Sequence, residues 1–234
     1  MPEFICQLAR DDINFPDPCQ ALHEPNGLLA IGGDLRPERL LAGYRKGIFP
    51  WYQDDHPILW WSPDPRTVLF PQNIKISRSL HKTLRNKHFK VTFDKAFCQV
   101  IMACAAPRET DGETWITQDM QQAYIKLHEQ GYAHSVETWL DDELVGGLYG
   151  VAVGKIFFGE SMFSRLRDAS KVALVHLAWQ LHAWDFALID CQLPTEHLFS
   201  LGAENIKRLL FLEYLQQEVN QPHHLGQWIL EVSK

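Results

Sequence analysis

The stretch Glu143-Leu-Val-Gly-Gly-Leu-Tyr-Gly-Val-Ala-Val-Gly-Lys-Ile-Phe-Phe-Gly-Glu-Ser-Met-Phe-Ser164, with its continuation Leu188-Ile-Asp-Cys-Gln192, decides the fold. Val145–Val153 and Lys155–Phe158 are β-rich runs separated by the single Gly154, which predicts a hairpin. Asp168 or Ser170 can cap a following helix whose apolar face is Leu174, Leu177, Ala178 and Leu181, at spacings of three and four. Phe186–Ile189 then predicts a buried strand ending in Asp190 and Gln192. Polar groups where strands end, among apolar residues, are what a reaction centre needs, and ordinary strand ends carry them too. On a regular strand Cys191 points away from both neighbours and belongs to the core.

Working outward, 234 residues hold one large domain or one domain with a smaller attachment, and 46% hydrophobic residues supply a sizeable core. No apolar run approaches the roughly 20 residues that span a bilayer, and the start Met-Pro-Glu-Phe-Ile-Cys lacks the pattern of a signal peptide. Five cysteines without a C-x-x-C pair point to reduced thiols in a cytosol. The formal charge of −7 argues against a nucleic-acid partner until its distribution is considered. Between Asp64 and Asp94 there is no acidic residue, whereas Arg66, Lys75, Arg78, Lys82, Arg85, Lys87 and Lys90 all fall there. Ser77–Asn86 predicts a short helix capped by Ser77, with Lys82 and Arg85 on one face and Arg78 a turn earlier. Such a face is either solvated or a phosphate-contacting patch, and the seven cations without an anion favour the patch.

Residues 1–62 are rich in Pro, Gly and aromatics and predict one helix, Pro37–Lys46, in a small irregular domain; residues 63–234 form the larger one. Trp51, Tyr52, Trp60 and Trp61 are either a stacking surface for an exposed base or the core of a domain short of aliphatic residues. Beyond them, the patterns predict a strand-like run within Thr67–Ile76, strands over Lys90–Phe93 and His134–Leu140, and helices over Phe97–Ala105 and Asp119–Gln130. A loop over Leu193–Phe199 and a helix over Glu204–Val219 complete the reading, and the tail carries no signal.

Strand, strand, helix, strand with this spacing resembles the core of the GNAT acyltransferase fold. More specific are Gly-Glu-Ser-Met-Phe-Ser (159–164), Ala-Ser-Lys (169–171), Asp-Cys-Gln (190–192) and Ser-Leu-Gly-Ala (200–203). With Glu-Pro-Asn-Gly-Leu-Leu-Ala-Ile-Gly-Gly-Asp-Leu (24–35), Gly-Ile-Phe-Pro-Trp (47–51), Trp-Trp-Ser-Pro-Asp-Pro-Arg (60–66) and Thr-Trp-Ile-Thr (114–117), they resemble the leucyl/phenylalanyl-tRNA–protein transferase family. One departure is Lys207, where the family pattern has a proline shortly after the isoleucine.

The resemblance implies an α+β, GNAT-like mixed sheet flanked by helices. It implies transfer of leucine or phenylalanine, less often methionine, from aminoacyl-tRNA to proteins beginning with Arg or Lys, which marks them for N-end-rule degradation. No cofactor or metal is implied, and the protein is expected to be a cytoplasmic monomer. Trp51, Trp115, Tyr124, Leu148, Phe157, Ser161 and Leu177 are expected in the aminoacyl-adenosine pocket, and Arg78, Lys82, Arg85 and Lys87 on the tRNA backbone. Asp190 is cast as electrostatic orienter or as general base working through Gln192, Gln192 as the contact to the attacking amine, and Glu160 as the anchor for adenosine or the aminoacyl amine. Proton transfer through the adenosine 2′-hydroxyl is an equal alternative to a base.

Other chemistries have weaker support in the residues. Eleven histidines form no H-E-x-x-H, and there is no G-x-x-x-x-G-K-[ST] or G-x-S-x-G. The serious rival is an acetyl-CoA-dependent acetyltransferase, which needs a glycine-rich turn to cradle pyrophosphate. The corresponding segment, Ser164-Arg-Leu-Arg-Asp-Ala-Ser-Lys, contains no glycine. A non-catalytic RNA-binding module would explain the basic stretch but not the buried Glu160, Asp190 and Gln192.

Overall fold

The computed structural model describes residues 5–54, 56–86, 89–107, 115–222 and 224–230. In chain order the strands are β1 (Cys6–Leu8), β2 (Leu28–Gly32), β3 (Phe49–Pro50), β4 (Leu59–Trp61), β5 (Arg66–Leu69), β6 (Lys90–Phe93), β7 (Ala133–Leu140), β8 (Glu143–Val153), β9 (Ile156–Ser164), β10 (Leu188–Gln192) and β11 (Glu204–Ile206). The helices are α1 (Pro37–Arg45), α2 (Arg78–Asn86), α3 (Phe97–Ala105), α4 (Gln118–Glu129), α5 (Ala169–Ala183), α6 (Glu196–Ser200) and α7 (Arg208–Glu218). Among the described residues no helix is long and apolar enough to cross a membrane.

The predicted hairpin is the spine of a seven-stranded mixed sheet ordered β11-β5-β10-β9-β8-β7-β6. Both arms outrun their β-rich cores: β8 starts at Glu143, and β9 runs through Glu160 to Ser164. Alternation along β8 feeds two cores. Leu148 and Ala152 pack with α5, whereas Tyr149, Val151 and Val153 pack with α3 and α4. Leu174, Leu177, Ala178 and Leu181 are buried as the spacing predicts, but so are Val172, Ala173 and Val175. A helix apolar on most sides needs cover on most sides, and the sheet and α2 provide it. At its start, Asp168 occupies the cap position without capping through its side chain.

Three expectations are corrected. Residues 1–62 are not irregular: they contain a four-stranded sheet ordered β1-β2-β4-β3, whose strands of two to five residues are too short to leave a periodic trace. The predicted helix over 204–219 starts four residues late, because Glu204–Ile206 pair with the edge of β5. Asp64 Oδ1 then accepts from the Arg208 N–H at 3.0 Å. Lys207 sits at the junction with φ −62° and ψ 141°, a conformation open to proline, so the departure from the family pattern leaves the turn intact. The loop expected over 193–199 contains α6, capped by Thr195 Oγ1 on the Leu198 N–H. The tail, for its part, buries Trp228 against His134, with ring centroids 3.7 Å apart.

The hairpin turn locks onto the end of α7. Gly154 has φ 60°, the Lys155 N–H donates to Glu218 O at 3.0 Å, and a Cβ on Gly154 would collide with that same carbonyl and with Val219. Gly154→Ala is therefore expected to destabilise the protein by about 2 kcal/mol or more, read as a lower urea midpoint at unchanged m-value.

Candidate active site

β9 and β10 are the only parallel neighbours in the large sheet as described, and their ladder stops early. Leu188, Ile189 and Asp190 pair with Ile156, Phe157 and Phe158, and no pairing follows. Beyond that point β9 continues against β8 alone, while β10 bends at a bulge that sets Asp190 opposite Val68 and Gln192 opposite Thr67. Gln192 takes φ 65°, a left-handed conformation that non-glycine residues adopt at a cost. A cavity of about 760 Å³ opens where the strands part, a volume suited to a small-molecule-sized group. Leu148, Phe157, Leu174, Leu177 and Ile189 make its apolar wall, and Glu160, Ser161 and Gln192 line its polar side. Trp51, 40% exposed, and Trp115 also line it.

Of the residues expected at the pocket, Trp51, Trp115, Leu148, Phe157, Ser161 and Leu177 do line the cavity, as do Glu160 and Gln192. Tyr124 does not; it is fully buried behind Glu160. Asp190 does not line the cavity either. It is fully buried and grips Arg66, with Nε at 2.8 Å from Oδ1 and Nη2 at 2.6 Å from Oδ2. The guanidinium lies over the rings of Phe49 and Phe211, at 4.8 and 4.7 Å. Asp190 Oδ1 also accepts the backbone N–H of Gln192 at 3.0 Å, which holds the left-handed residue in place. The idea of Asp190 as a base acting through Gln192 loses its path. Both carboxylate oxygens are committed, and the Gln192 amide nitrogen donates elsewhere, to Glu160 Oε1 at 3.0 Å. What Asp190 does in this geometry is tie Arg66 to the Gln192 backbone. The bulge also undoes the expected alternation, so Cys191 shares the cavity wall with Gln192, and burial pushes its thiol up.

Glu160 is the titratable centre of the polar side. Its Oε1 lies 2.8 Å from the Tyr44 hydroxyl and its Oε2 2.7 Å from the Tyr124 hydroxyl, and those hydroxyls are 2.6 Å apart. Burial raises its pKa to about 7; hydrogen bonds from Tyr124, Tyr44 and Gln192 partly oppose this, and the nearby Asp190 adds to it. Burial, and then the charge on Glu160, raises Tyr44, Tyr124 and Tyr149 well above the ordinary phenol range. Sequence reasoning missed Tyr44 and Arg66. A signal for Tyr44 existed, since it lies four residues after Leu40 on the buried face of α1.

Among the other aromatics, Trp60 is core, edge-on to Phe15, whereas Trp61 backs Trp51 and donates to its carbonyl at 2.7 Å. Arg78, Lys82 and Arg85 are exposed on α2, opposite the inward-facing Leu80 and Leu84, and they form no ion pair among the described residues. Lys87 lies outside the described residues. Arg66, counted with these cations in the sequence, leaves the patch because it is buried against Asp190. Thr83 of α2 donates to Asp168 at 3.2 Å, three residues from Arg165, which lines the cavity.

Two family models match the chain. One, described as leucyl/phenylalanyl-tRNA protein transferase, matches residues 68–216; the other, described as the N-terminal domain of that transferase, matches 33–64. The chain is 61% identical to a leucyl/phenylalanyl-tRNA–protein transferase of Stutzerimonas stutzeri (strain A1501), over 92% of this chain and 95% of the relative. It is 60% identical to one of Nitrosomonas eutropha (strain DSM 101675 / C91 / Nm57), over 93% of each. Among solved structures, a GCN5-related N-acetyltransferase from Kribbella flavida overlaps with TM-score 0.32 at 10% identity, over 69% of this chain and 58% of that one.

Two stability measurements check this geometry. Asp190→Asn strands a buried cation and should cost about 3–5 kcal/mol, whereas Arg66→Met with Asp190→Leu should recover most of that loss in urea unfolding. Glu160 has a folded pKa of about 7 against 4.5 for the free side chain. Its contribution is therefore fully present below pH 4.5 and is lost as pH rises to 7, by on the order of 3 kcal/mol at most. Glu160→Gln should remove that fall from the stability profile.

Proposed function

The chain belongs to the leucyl/phenylalanyl-tRNA–protein transferase family, and from that premise we propose how its cavity carries out the transfer. The protein is an aminoacyltransferase that uses aminoacyl-tRNA and protein substrates. The carrying observation is the cavity between the parting strands, with an apolar wall beside the Gln192–Glu160 hydrogen bond. The leucyl or phenylalanyl side chain packs on Leu148, Phe157 and Leu177. Trp51 and Trp115 flank the terminal adenosine, with Ser161 offering a hydroxyl. An apolar wall separates similar side chains by only about 1–3 kcal/mol per methylene, so methionine is accepted at a lower rate.

The acceptor is a protein whose first residue is Arg or Lys, met in the cytoplasm by a monomeric enzyme, and the addition marks it for N-end-rule degradation. Its α-amine, with a pKa of about 7.7–8.0, is partly neutral at cytosolic pH. The amine nitrogen attacks the ester carbonyl; the C–N bond forms, the ester C–O bond to the ribose breaks, and the amine proton ends on the departing ribose oxygen. Because Gln192 Nε2 is committed to Glu160, its Oε1 is the atom that accepts from the incoming amine. Asp190, fixed by Arg66, holds the backbone that presents it. The donor ester is already activated, so orientation supplies most of what is needed. Residues 63–234 form the catalytic unit, to which residues 1–62 contribute Tyr44 and Trp51.

The Thr83–Asp168 hydrogen bond ties α2, with its exposed cations, to the start of α5, which supports their use on the acceptor stem of the tRNA. Labelled leucine is expected to pass from Leu-tRNA to an Arg-initiated peptide without ATP. Transfer from acetyl-CoA in its place would overturn the reading. Gln192→Ala and Glu160→Ala should each lower the rate at least about tenfold. Reversing Lys82 and Arg85 together should weaken Leu-tRNA binding most at low salt and flatten the salt slope by somewhat under one unit per cation. A minimal aminoacyl-adenosine donor, too short to reach α2, should be used almost as well as before.

A further inference from the structure

Three groups meet behind the cavity: the Tyr44 hydroxyl, the Tyr124 hydroxyl and the Glu160 carboxyl. All three contacts are of hydrogen-bond length, at 2.8 Å, 2.7 Å and 2.6 Å. Two phenols bring two protons to three contacts. With an ionised Glu160, both hydroxyls donate to it, and the two phenol oxygens are left 2.6 Å apart with no proton between them. One more proton closes the ring. Glu160 Oε2–H then donates to Tyr124, Tyr124 to Tyr44, and Tyr44 to Oε1, which also accepts from the Gln192 amide at 3.0 Å. In that state Oε1, the oxygen with two donors, is the carbonyl oxygen, and Oε2 is the hydroxyl.

We propose that Glu160 stands protonated in the free site, as the acid that closes a hydrogen-bond ring with Tyr44 and Tyr124, so that the group beside Gln192 is neutral when the acceptor amine arrives. The surroundings favour this. Tyr44, Tyr124 and Tyr149 are fully buried, and the adjacent charge, Asp190, is negative and already paired with Arg66. Gln192, which donates to Oε1, carries no charge. A carboxylate here would hold an incoming α-amine as ammonium, the form that cannot attack. A neutral acid leaves the amine free to lose its proton and still fixes the Gln192 amide with its oxygen toward the cavity. Tyr44 comes from α1 and Tyr124 from α4, so both are positioning residues that act through Glu160.

The statement about the amine rests on the transfer reading; the proton count does not, and the test has one arm for each. The first arm is the infrared difference spectrum of wild type minus Glu160→Gln at pH 6, with carbon-13 glutamate to identify the band. A carboxylic-acid carbonyl band is expected, disappearing as pH is raised to 9. A carboxylate band alone at pH 6 overturns the proposal, whether or not the protein transfers leucine. The second arm uses the aminoacyl-adenosine donor and an Arg-initiated peptide. Glu160→Gln, an isostere of the neutral acid, should restore most of the rate that Glu160→Ala loses, and its rate relative to wild type should rise several-fold between pH 6 and 8. A Glu160→Gln protein as slow as Glu160→Ala, or a ratio that falls with pH, means that the carboxylate is the working form and overturns the proposal.

Discussion

The buried pair of Arg66 and Asp190 is the constraint on which the site depends. One guanidinium at the start of β5 fastens β10, and it lies between a ring of the small sheet, Phe49, and a ring of α7, Phe211. Burying two charges is costly unless geometry is good and the remaining valences are filled, and a bidentate contact with two flanking rings meets much of that demand. The benefit is positional. With Asp190 held toward β5 and its oxygen accepting from the next-but-one N–H, β10 cannot continue beside β9, and the sheet opens at that point.

An opening in a sheet is a place where a ligand can meet residues from both faces. Here Phe157, Leu148 and Ile189 come from the face that packs on α5, whereas Tyr149, Glu160 and Gln192 belong to the side facing α1, α3 and α4. A regular strand pair would keep those sets apart, since alternate side chains point to opposite sides. An apolar wall and a polar side can share one cavity because the ladder ends.

The same architecture separates tasks by environment. The cations of α2 are exposed and face outward. Glu160 and Gln192 of the cavity, by contrast, are buried and hydrogen-bonded to each other. Such a network is well determined when every member is satisfied, and Glu160 is the member around which Tyr44, Tyr124 and Gln192 are arranged.

Local patterns in the sequence determined much of this protein. The hairpin around Gly154, the apolar face of α5, the strand before Asp190, α3 and β6 follow from spacings within a few residues, because hydrophobic periodicity is a short-range property. The motifs determined the family, and through it the residues placed around the cavity. Tertiary structure alone decided the partners. Arg66 and Asp190 are 124 positions apart, and Tyr44 and Glu160 116 apart. Nothing local tells an arginine in a basic stretch that it will be buried, or a tyrosine on an apolar helix face that it will meet a carboxyl. The bulge in β10 and the edge strand β11 were hidden for the same reason: each answers to a backbone ladder contributed by β5, a segment remote in the chain.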